Sequence, residues 1–377
     1  MNSSKRILVA PLNWGLGHAT RCIPIIQELI NHGHQPFIAS DGVALSLLKK
    51  EFPDLPGFEL PSYKISYAEK GKNFKIKMIW DSPKVLKAIA KEKKAVKRLV
   101  KEHGLEGIIS DNRLGAYYKK MPCVFITHQL NVLSGNTTWM SSKAHQKIIK
   151  KFDACWVPDV KDQPNLTGKL GHLKKSKLNI AYLGPLSRFE KKELPVVHDL
   201  LVLLSGPEPQ RGMLEKKLFA ELNEFKGNVL FVKGKIENEQ IEEEIRTSKG
   251  KILFYNFMKS DELERAINQS KKVLCRSGYT TVMDLAKLEK KAFFIPTPGQ
   301  YEQEYLAKRM QKQGLVPYST QEDFKLRDLS RMVDFKGLTQ FESISADFSS
   351  LFGVFSTSEV FSNVKENSEP TSTSLST

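Results

Sequence analysis

The residues best suited to chemistry lie in two consecutive stretches, Val273-Leu-Cys-Arg-Ser-Gly-Tyr-Thr-Thr-Val-Met-Asp-Leu-Ala and Ala292-Phe-Phe-Ile-Pro-Thr-Pro-Gly-Gln-Tyr-Glu-Gln-Glu-Tyr. In the first, Val273 to Cys275 reads as a short buried strand that Ser277-Gly278 breaks. Thr280 or Thr281 can then cap a helix whose apolar positions Val282, Leu285 and Leu288 recur every three residues. The unpaired N–H groups at a helix start carry a partial charge of about +0.5, and Gly278 lets an anion approach the backbone, so this loop suits a phosphate. Asp284, one turn into the helix, can accept hydrogen bonds from a neutral polyol such as a ribose. The second stretch repeats the plan. Phe293 to Ile295 is the strand, Pro296-Thr-Pro-Gly the turn, and Gln303 and Glu304 stand near the start of the next helix. Two such loops side by side can hold a ligand that is anionic at one end and a sugar at the other.

A second group of polar residues follows strands near the N-terminus. Arg6-Ile-Leu-Val-Ala is a buried strand, Asn13-Trp-Gly-Leu-Gly-His-Ala-Thr-Arg a glycine loop, and Ile23 to Ile30 an apolar helix face; Pro36-Phe-Ile-Ala-Ser returns as a strand closed by Asp41. This βαβ unit invites a nicotinamide reading, but Thr20 stands where the third glycine of that fingerprint belongs, and Trp14 and His18 crowd the turn. His18 is a candidate base, because an imidazole titrates near neutral pH; the same position also suits a histidine that donates to the backbone at a helix start. Gly107-Ile-Ile-Ser-Asp111 and Cys123-Val-Phe-Ile-Thr-His128 are buried strands with polar C-terminal ends, which is where open α/β sheets place ligands. Asp111 and His128 are therefore candidates too, His128 equally as a structural histidine bonded to a neighbouring loop.

The elements that must position these groups point to two domains. A chain of 377 residues exceeds one ordinary core, and 40% apolar content supports globular packing. One series of strands and helices fills residues 1–186; Phe189-Glu-Lys-Lys-Glu-Leu-Pro reads as a linker, and a second series fills 187–350. Its strands are Leu200 to Leu204, Val229 to Val232, Ile252 to Phe254, Val273 to Cys275 and Phe293 to Ile295, with helices expected in every gap. The Ser- and Thr-rich residues 351–377 are expected to be disordered. Cys22, Cys123, Cys155 and Cys275 are too scattered for a zinc site or a disulfide framework, and no apolar run approaches the ~20 residues needed to cross a bilayer. These features lead us to expect a protein that is cytoplasmic or peripheral at the inner face of the membrane. A net charge of +16 favours an anionic partner. From Tyr63 to Lys101 basic residues outnumber acids thirteen to three, around Phe74, Ile76, Met78, Ile79 and Trp80. That pattern fits a loop lying on an acidic membrane surface, or apolar residues packed in the core under a solubilising basic face. No aromatic RNA-binding motif or recognition-helix pattern accompanies the lysines, so a nucleic-acid partner is not expected.

Cys275-Arg-Ser-Gly278, with Thr281 three residues on, Asp284 three beyond that, a strand ending in Pro296, then Gln303 followed by Glu304, resembles the donor site of MurG-like glycosyltransferases. The resemblance extends to Phe257-Met258, where that family's backbone reads uracil, and to Leu204-Ser205-Gly206, where its second glycine loop begins. It implies the GT-B fold, two Rossmann-like α/β domains facing a cleft, and transfer of a hexose or N-acetylhexosamine from a UDP-sugar to a hydroxyl acceptor, lipid-linked or glycan. It also implies an inverting displacement, with the first glycine loop (Trp14, Gly15, Gly17, His18) and His128 on the acceptor side. Asp284 stands where the peptidoglycan enzymes have Glu, and Glu304 replaces their second Gln, so donor class is better indicated than donor identity. Arg276, or Arg211 after Ser205-Gly206-Pro207, is expected to assist the diphosphate. No Asp-x-Asp pair is present, and neither a metal nor a resident cofactor is expected. A UDP-sugar epimerase on the same fold and a non-catalytic anion-binding protein are the alternatives.

Overall fold

The computed structural model describes residues 4–63, 83–235, 237, 239–341 and 346–356. Most of the Lys- and Trp-containing stretch, residues 64–82, and the tail from 357 onward lie outside the described residues.

The first half builds a seven-stranded parallel sheet from β1 (Arg6–Pro11), β2 (Gln35–Ser40), β3 (Gly57–Glu59), β4 (Gly107–Asp111), β5 (Cys123–Ile126), β6 (Ala154–Val157) and β7 (Ile180–Tyr182). Its order is β3-β2-β1-β4-β5-β6-β7. The central strands β1, β4, β5 and β6 are almost wholly buried, as continuous apolar runs covered on both faces must be. Helices α1 (Gly17–Asn31), α2 (Gly42–Glu51), α3 (Pro83–His103) and α4 (Thr138–Ile149) accompany it. The second half forms a six-stranded sheet from β8 (Leu200–Leu203), β9 (Gly227–Val232), β10 (Glu242–Arg246), β11 (Gly250–Tyr255), β12 (Val273–Cys275) and β13 (Ala292–Phe294), in the order β10-β11-β9-β8-β12-β13. Helices α5 (Gln210–Leu222), α6 (Ser260–Asn268), α7 (Tyr279–Lys287) and α8 (Tyr301–Lys312) complete it.

Both sheets change winding direction between neighbouring strands, β1 and β4 in the first and β8 and β12 in the second. A crevice opens beyond the C-terminal ends of the strands at such a point. The loops carrying His18 and Asp111 leave the first of these points, and those carrying Ser205-Gly206 and Ser277-Gly278 leave the second. One apolar cluster unites residues of both halves, including Val124 and Trp156 with Tyr279 and Leu306, so the domains share packing across the crevice.

Three expectations need correction. Among the described residues of 233–249, between β9 and β11, there is no helix. Glu242-Glu-Glu-Ile-Arg pairs antiparallel to β11 as an edge strand, where Glu244 meets Lys251 at 3.1 Å and Glu242 accepts from the Tyr255 hydroxyl at 2.5 Å. Neither Thr280 nor Thr281 caps α7: the capping residue is Gly278 with extended dihedrals, and both threonines fall in the first turn. Finally, residues 351–356 are ordered. Helix α9 (Phe348–Phe352), capped by Asp347, and the turn Gly353–Phe355 bury Phe352 and Phe355 on the first domain. Phe352 meets the rings of His32, His34 and Trp156 at centroid distances of 5.3, 5.6 and 6.1 Å. A Cβ on Gly107 would lie 2.5 Å from the Phe355 ring, so glycine makes room for this contact.

Candidate active site

The half of the site that lies on the first domain is built on three strand ends. Helix α1 starts at Gly17 directly after the first glycine loop, which puts His18 and Arg21 on one face, three residues apart. Asp111, the last residue of β4 and fully buried, receives both. Arg21 donates through Nε and Nη2 to its two carboxylate oxygens, and His18 Nδ1 lies 2.9 Å from Oδ1. His18 Nδ1 also lies 2.7 Å from Arg21 Nη2. A proton on Nδ1 aimed at the carboxylate makes the charge-assisted bond of the two, and that tautomer leaves a lone pair on Nε2. Burial would raise the Asp111 carboxyl, yet Arg21 and His18 hold it well below the usual carboxylate range. Asp111 is thus a stable anion that orients His18 and is too weakly basic to take a proton itself, which corrects its reading as an alternative base. Burial lowers the His18 pKa more than Asp111 raises it, so the imidazole is neutral at neutral pH.

His128, beyond β5, extends this network toward the other domain. Its Nδ1 lies 3.1 Å from Arg21 Nη1, and its Nε2 lies 3.0 Å from Oε1 of Glu302 in the first turn of α8. Gln129 donates to the other oxygen of Glu302. The Tyr279 ring stacks on His128 at 4.4 Å, and the Tyr279 hydroxyl donates to the Pro158 carbonyl at 2.5 Å. Thr280 Oγ1 donates to the Gly17 carbonyl at 3.2 Å. A Cβ on Gly17 would meet that same oxygen at 2.7 Å, so only glycine permits this approach. Trp14 and Gly15 lie on the loop just before; Gly15 has φ +72° and is exposed with open space around it.

On the second domain, Gly278 opens on empty space at the N-terminus of α7, with Ser277 beneath it donating to the Gln303 carbonyl at 2.8 Å. Ser205 and Gly206 are exposed after β8, and Gly206 has φ +102°, a conformation that favours glycine. Gln303 and Glu304 do not face outward through all their polar atoms: Gln303 Oε1 accepts from Thr297 N at 2.8 Å, and Glu304 Oε1 from Gly299 N at 3.0 Å, so both brace the Pro-Gly turn. Phe257 and Met258 are half-buried, with the Phe257 N–H donating to Asn256 and its carbonyl accepting from Gln240. Asp284 is turned to the interdomain linker, where Ser187 donates to it at 2.7 Å. Burial pushes the Asp284 carboxyl up to about 6 despite that bond and the nearby Arg188 guanidinium.

The two arginines expected to reach a diphosphate are placed otherwise. Arg276 is fully buried and donates to the carbonyls of Ile295, Pro296 and Gln210 and to Gln321, which ties the β13 turn to the start of α5. Its partners are neutral, and burial pushes its pKa down to about 9. Arg211 is held by Glu208, Glu215 and the Lys233 carbonyl. Arg21 and Glu302 are the site residues that the sequence reading missed. The spacing of Arg21 from His18 carried the signal for the first; nothing local signals the second.

A glycosyltransferase family 28 C-terminal domain matches residues 211–346, which contain α7, α8, the Ser277-Gly278 loop and the Pro296-Thr-Pro-Gly turn but not Ser205-Gly206. The chain has the GT-B fold and is similar to the MurG-like glycosyltransferases of family 28. This glycosyltransferase is 24% identical over 339 residues to the UDP-N-acetylglucosamine--N-acetylmuramyl-(pentapeptide) pyrophosphoryl-undecaprenol N-acetylglucosamine transferase of Glaesserella parasuis, covering 88% of this chain and 89% of that protein. It is 23% identical over 305 residues to an uncharacterized glycosyltransferase of Methanopyrus kandleri, covering 77% of this chain and 85% of that one. The crystal structure of Acinetobacter baumannii MurG superposes with a TM-score of 0.57 at 13% identity, covering 93% and 98% of the two chains. Among the described residues of this glycosyltransferase, no helix is long and apolar enough to cross a membrane.

Proposed function

We propose that this enzyme moves a hexose or N-acetylhexosamine from a UDP-sugar to a hydroxyl of a lipid-linked or glycan acceptor, by a single inverting, metal-independent displacement. The observation that carries the reading is the meeting of two switch points. The His18–Asp111 pair leaves one sheet, the Gly278 loop leaves the other, and Thr280 and Gly17 join them at 3.2 Å. In the reaction His18 Nε2 takes the acceptor proton while the acceptor oxygen attacks the anomeric carbon. The bond from that carbon to the diphosphate oxygen breaks, and UDP carries away the electron pair. Charge developing on UDP is met by the N–H groups at Gly278 and Ser205-Gly206 and by the unneutralised charge of Arg276 beneath them. Asp284 takes the ribose once it leaves Ser187.

A lipid-linked acceptor draws support from the first domain's surface. Trp139 and Met140 are exposed at the start of α4, with Lys143 Nζ 4.0 Å over the Trp139 ring, a pairing that suits an interface with anionic headgroups. The test is thermal unfolding with a panel of UDP-sugars, since a ligand at 100 times its Kd stabilises by about 2.7 kcal/mol. A shift with one or more of them is expected, and no shift with any UDP compound overturns the reading. Incubation of the responding UDP-sugar without acceptor should leave the sugar unchanged; its conversion to a stereoisomer would favour the epimerase instead.

A further inference from the structure

We infer that the Thr297 hydroxyl is a ligand for the donor diphosphate, a role that no resemblance assigned to it. Thr297 follows β13 and is only 3% exposed, yet its Oγ1 has no hydrogen-bond partner among the described residues. A buried hydroxyl left unpaired costs free energy, so it marks a place where a bound group completes the structure. The neighbours say which group. A Cβ built on Gly206 would have Thr297 Oγ1 as its near neighbour at 3.9 Å, so the hydroxyl faces the exposed Ser205-Gly206 loop ahead of α5. The Thr297 backbone is pinned from one side by Gln303 at 2.8 Å. From the other side Arg276 holds the Ile295 and Pro296 carbonyls at 3.1 and 3.2 Å and the Gln210 carbonyl at 3.0 Å, fixing this turn against the first residue of α5. The same guanidinium has no acidic partner among the described residues and so leaves positive potential under the loop. A hydroxyl donor, a glycine that lets an anion approach and a buried cation without an acidic partner among the described residues converge on one spot. That set fits a non-bridging oxygen of a diphosphate.

The assignment rests on reading the cleft as a nucleotide-sugar site, and the experiment separates the two. Affinities for UDP and UMP are measured by calorimetry for the wild type, Thr297→Val and Thr297→Ser. The isosteric Val removes only the hydroxyl, and a hydrogen bond to a charged group is worth enough that UDP affinity should fall roughly tenfold or more. UMP, which lacks the second phosphate, should lose less, and Ser should restore UDP binding. The Michaelis constant for donor should rise in Thr297→Val with kcat at saturation changed less. Equal UDP affinity in wild type and Thr297→Val overturns this inference alone, whereas a wild type that ignores UDP overturns the reading of the cleft. Thr297→Ala, with folding checked by circular dichroism, replaces Val if the branched side chain disturbs the turn, and the same two outcomes decide.

Discussion

Replacing Asp284 by Asn should move stability and donor affinity in opposite directions. The Asp284 carboxyl titrates near 6 in the folded protein because burial outweighs the Ser187 hydrogen bond and the Arg188 charge. Against an unfolded value near 3.9, that is a rise of about two pH units, and at about 1.36 kcal/mol each the folded state carries the ionised carboxylate at a cost of ~3 kcal/mol. The sign follows from proton binding. The folded protein holds the proton more tightly, so stability from this group is full below the unfolded value and is lost as pH rises through about 6. The amide introduced by Asp284→Asn does not ionise, and its oxygen can still accept from Ser187. We expect D284N to be more stable than wild type by about 1–3 kcal/mol at pH 7.5, with the gap closing as pH falls toward 4. The same variant should bind UDP more weakly, because a carboxylate accepting from ribose hydroxyls contributes about 1.5–3 kcal/mol per charge-assisted bond. Chemical denaturation across pH and UDP titration check the two halves. A D284N protein less stable at pH 7.5 would refute the burial argument, and unchanged UDP affinity would refute the ribose assignment.

His18→Ala should cut turnover by about 10²–10⁴-fold with little change in UDP affinity, as removal of a positioned base does. In the wild type the acid limb of the pH–rate profile should fall below the usual histidine value, since burial favours the neutral ring; a limb above 6.5 would contradict it. Gly17→Ala places a methyl 2.7 Å from Thr280 Oγ1 and should lower turnover by separating the two loops, and adding Thr280→Ala should recover part of the loss. Additive effects would show that the two positions act independently. EDTA should leave activity intact, and loss reversed by Mg²⁺ or Mn²⁺ would overturn the metal-independent mechanism. Vesicles containing acidic lipid should bind the wild type at low salt and release it as salt rises, whereas a protein that ignores them would favour a soluble acceptor.

Local sequence carried much of the fold. Short apolar strands ending in glycine and polar residues placed β12, β13 and the His18 loop because both signals are written within a few residues. Pairings across tens of residues were harder to read. Arg276 in a glycine-rich loop looks like a phosphate ligand, yet its partners are carbonyls of turns 19, 20 and 66 positions away. Glu302 meets His128 from 174 residues further along the chain. The β10 edge strand carries the acidic run Glu242-Glu-Glu, which favours no strand by itself; pairing with Lys251 and Tyr255 across the hairpin fixes it. The capping position of α7 is Gly278, and the helix begins with Tyr279, whose ring stacks on His128 from the other domain, a contact that local sequence does not signal.

The segment that carries Phe352 and Phe355 back to the first domain changes what the cleft can do mechanically. The chain leaves the first domain at the linker near Ser187 and lies on it again at α9, and the described residues at both places are anchored. The linker is fastened to the second domain where Glu190 N donates to Glu264 and Lys192 N to Asn268, while the returning segment is fastened to the first by two buried aromatic rings. Two tethers define an axis. Rotation about the line joining them strains neither, whereas twisting one domain on the other, or sliding it sideways, stretches at least one. Any opening of the cleft that kept both anchors would turn about the line joining them, and its reversal would bring Thr280 back to Gly17 and Glu302 back to His128.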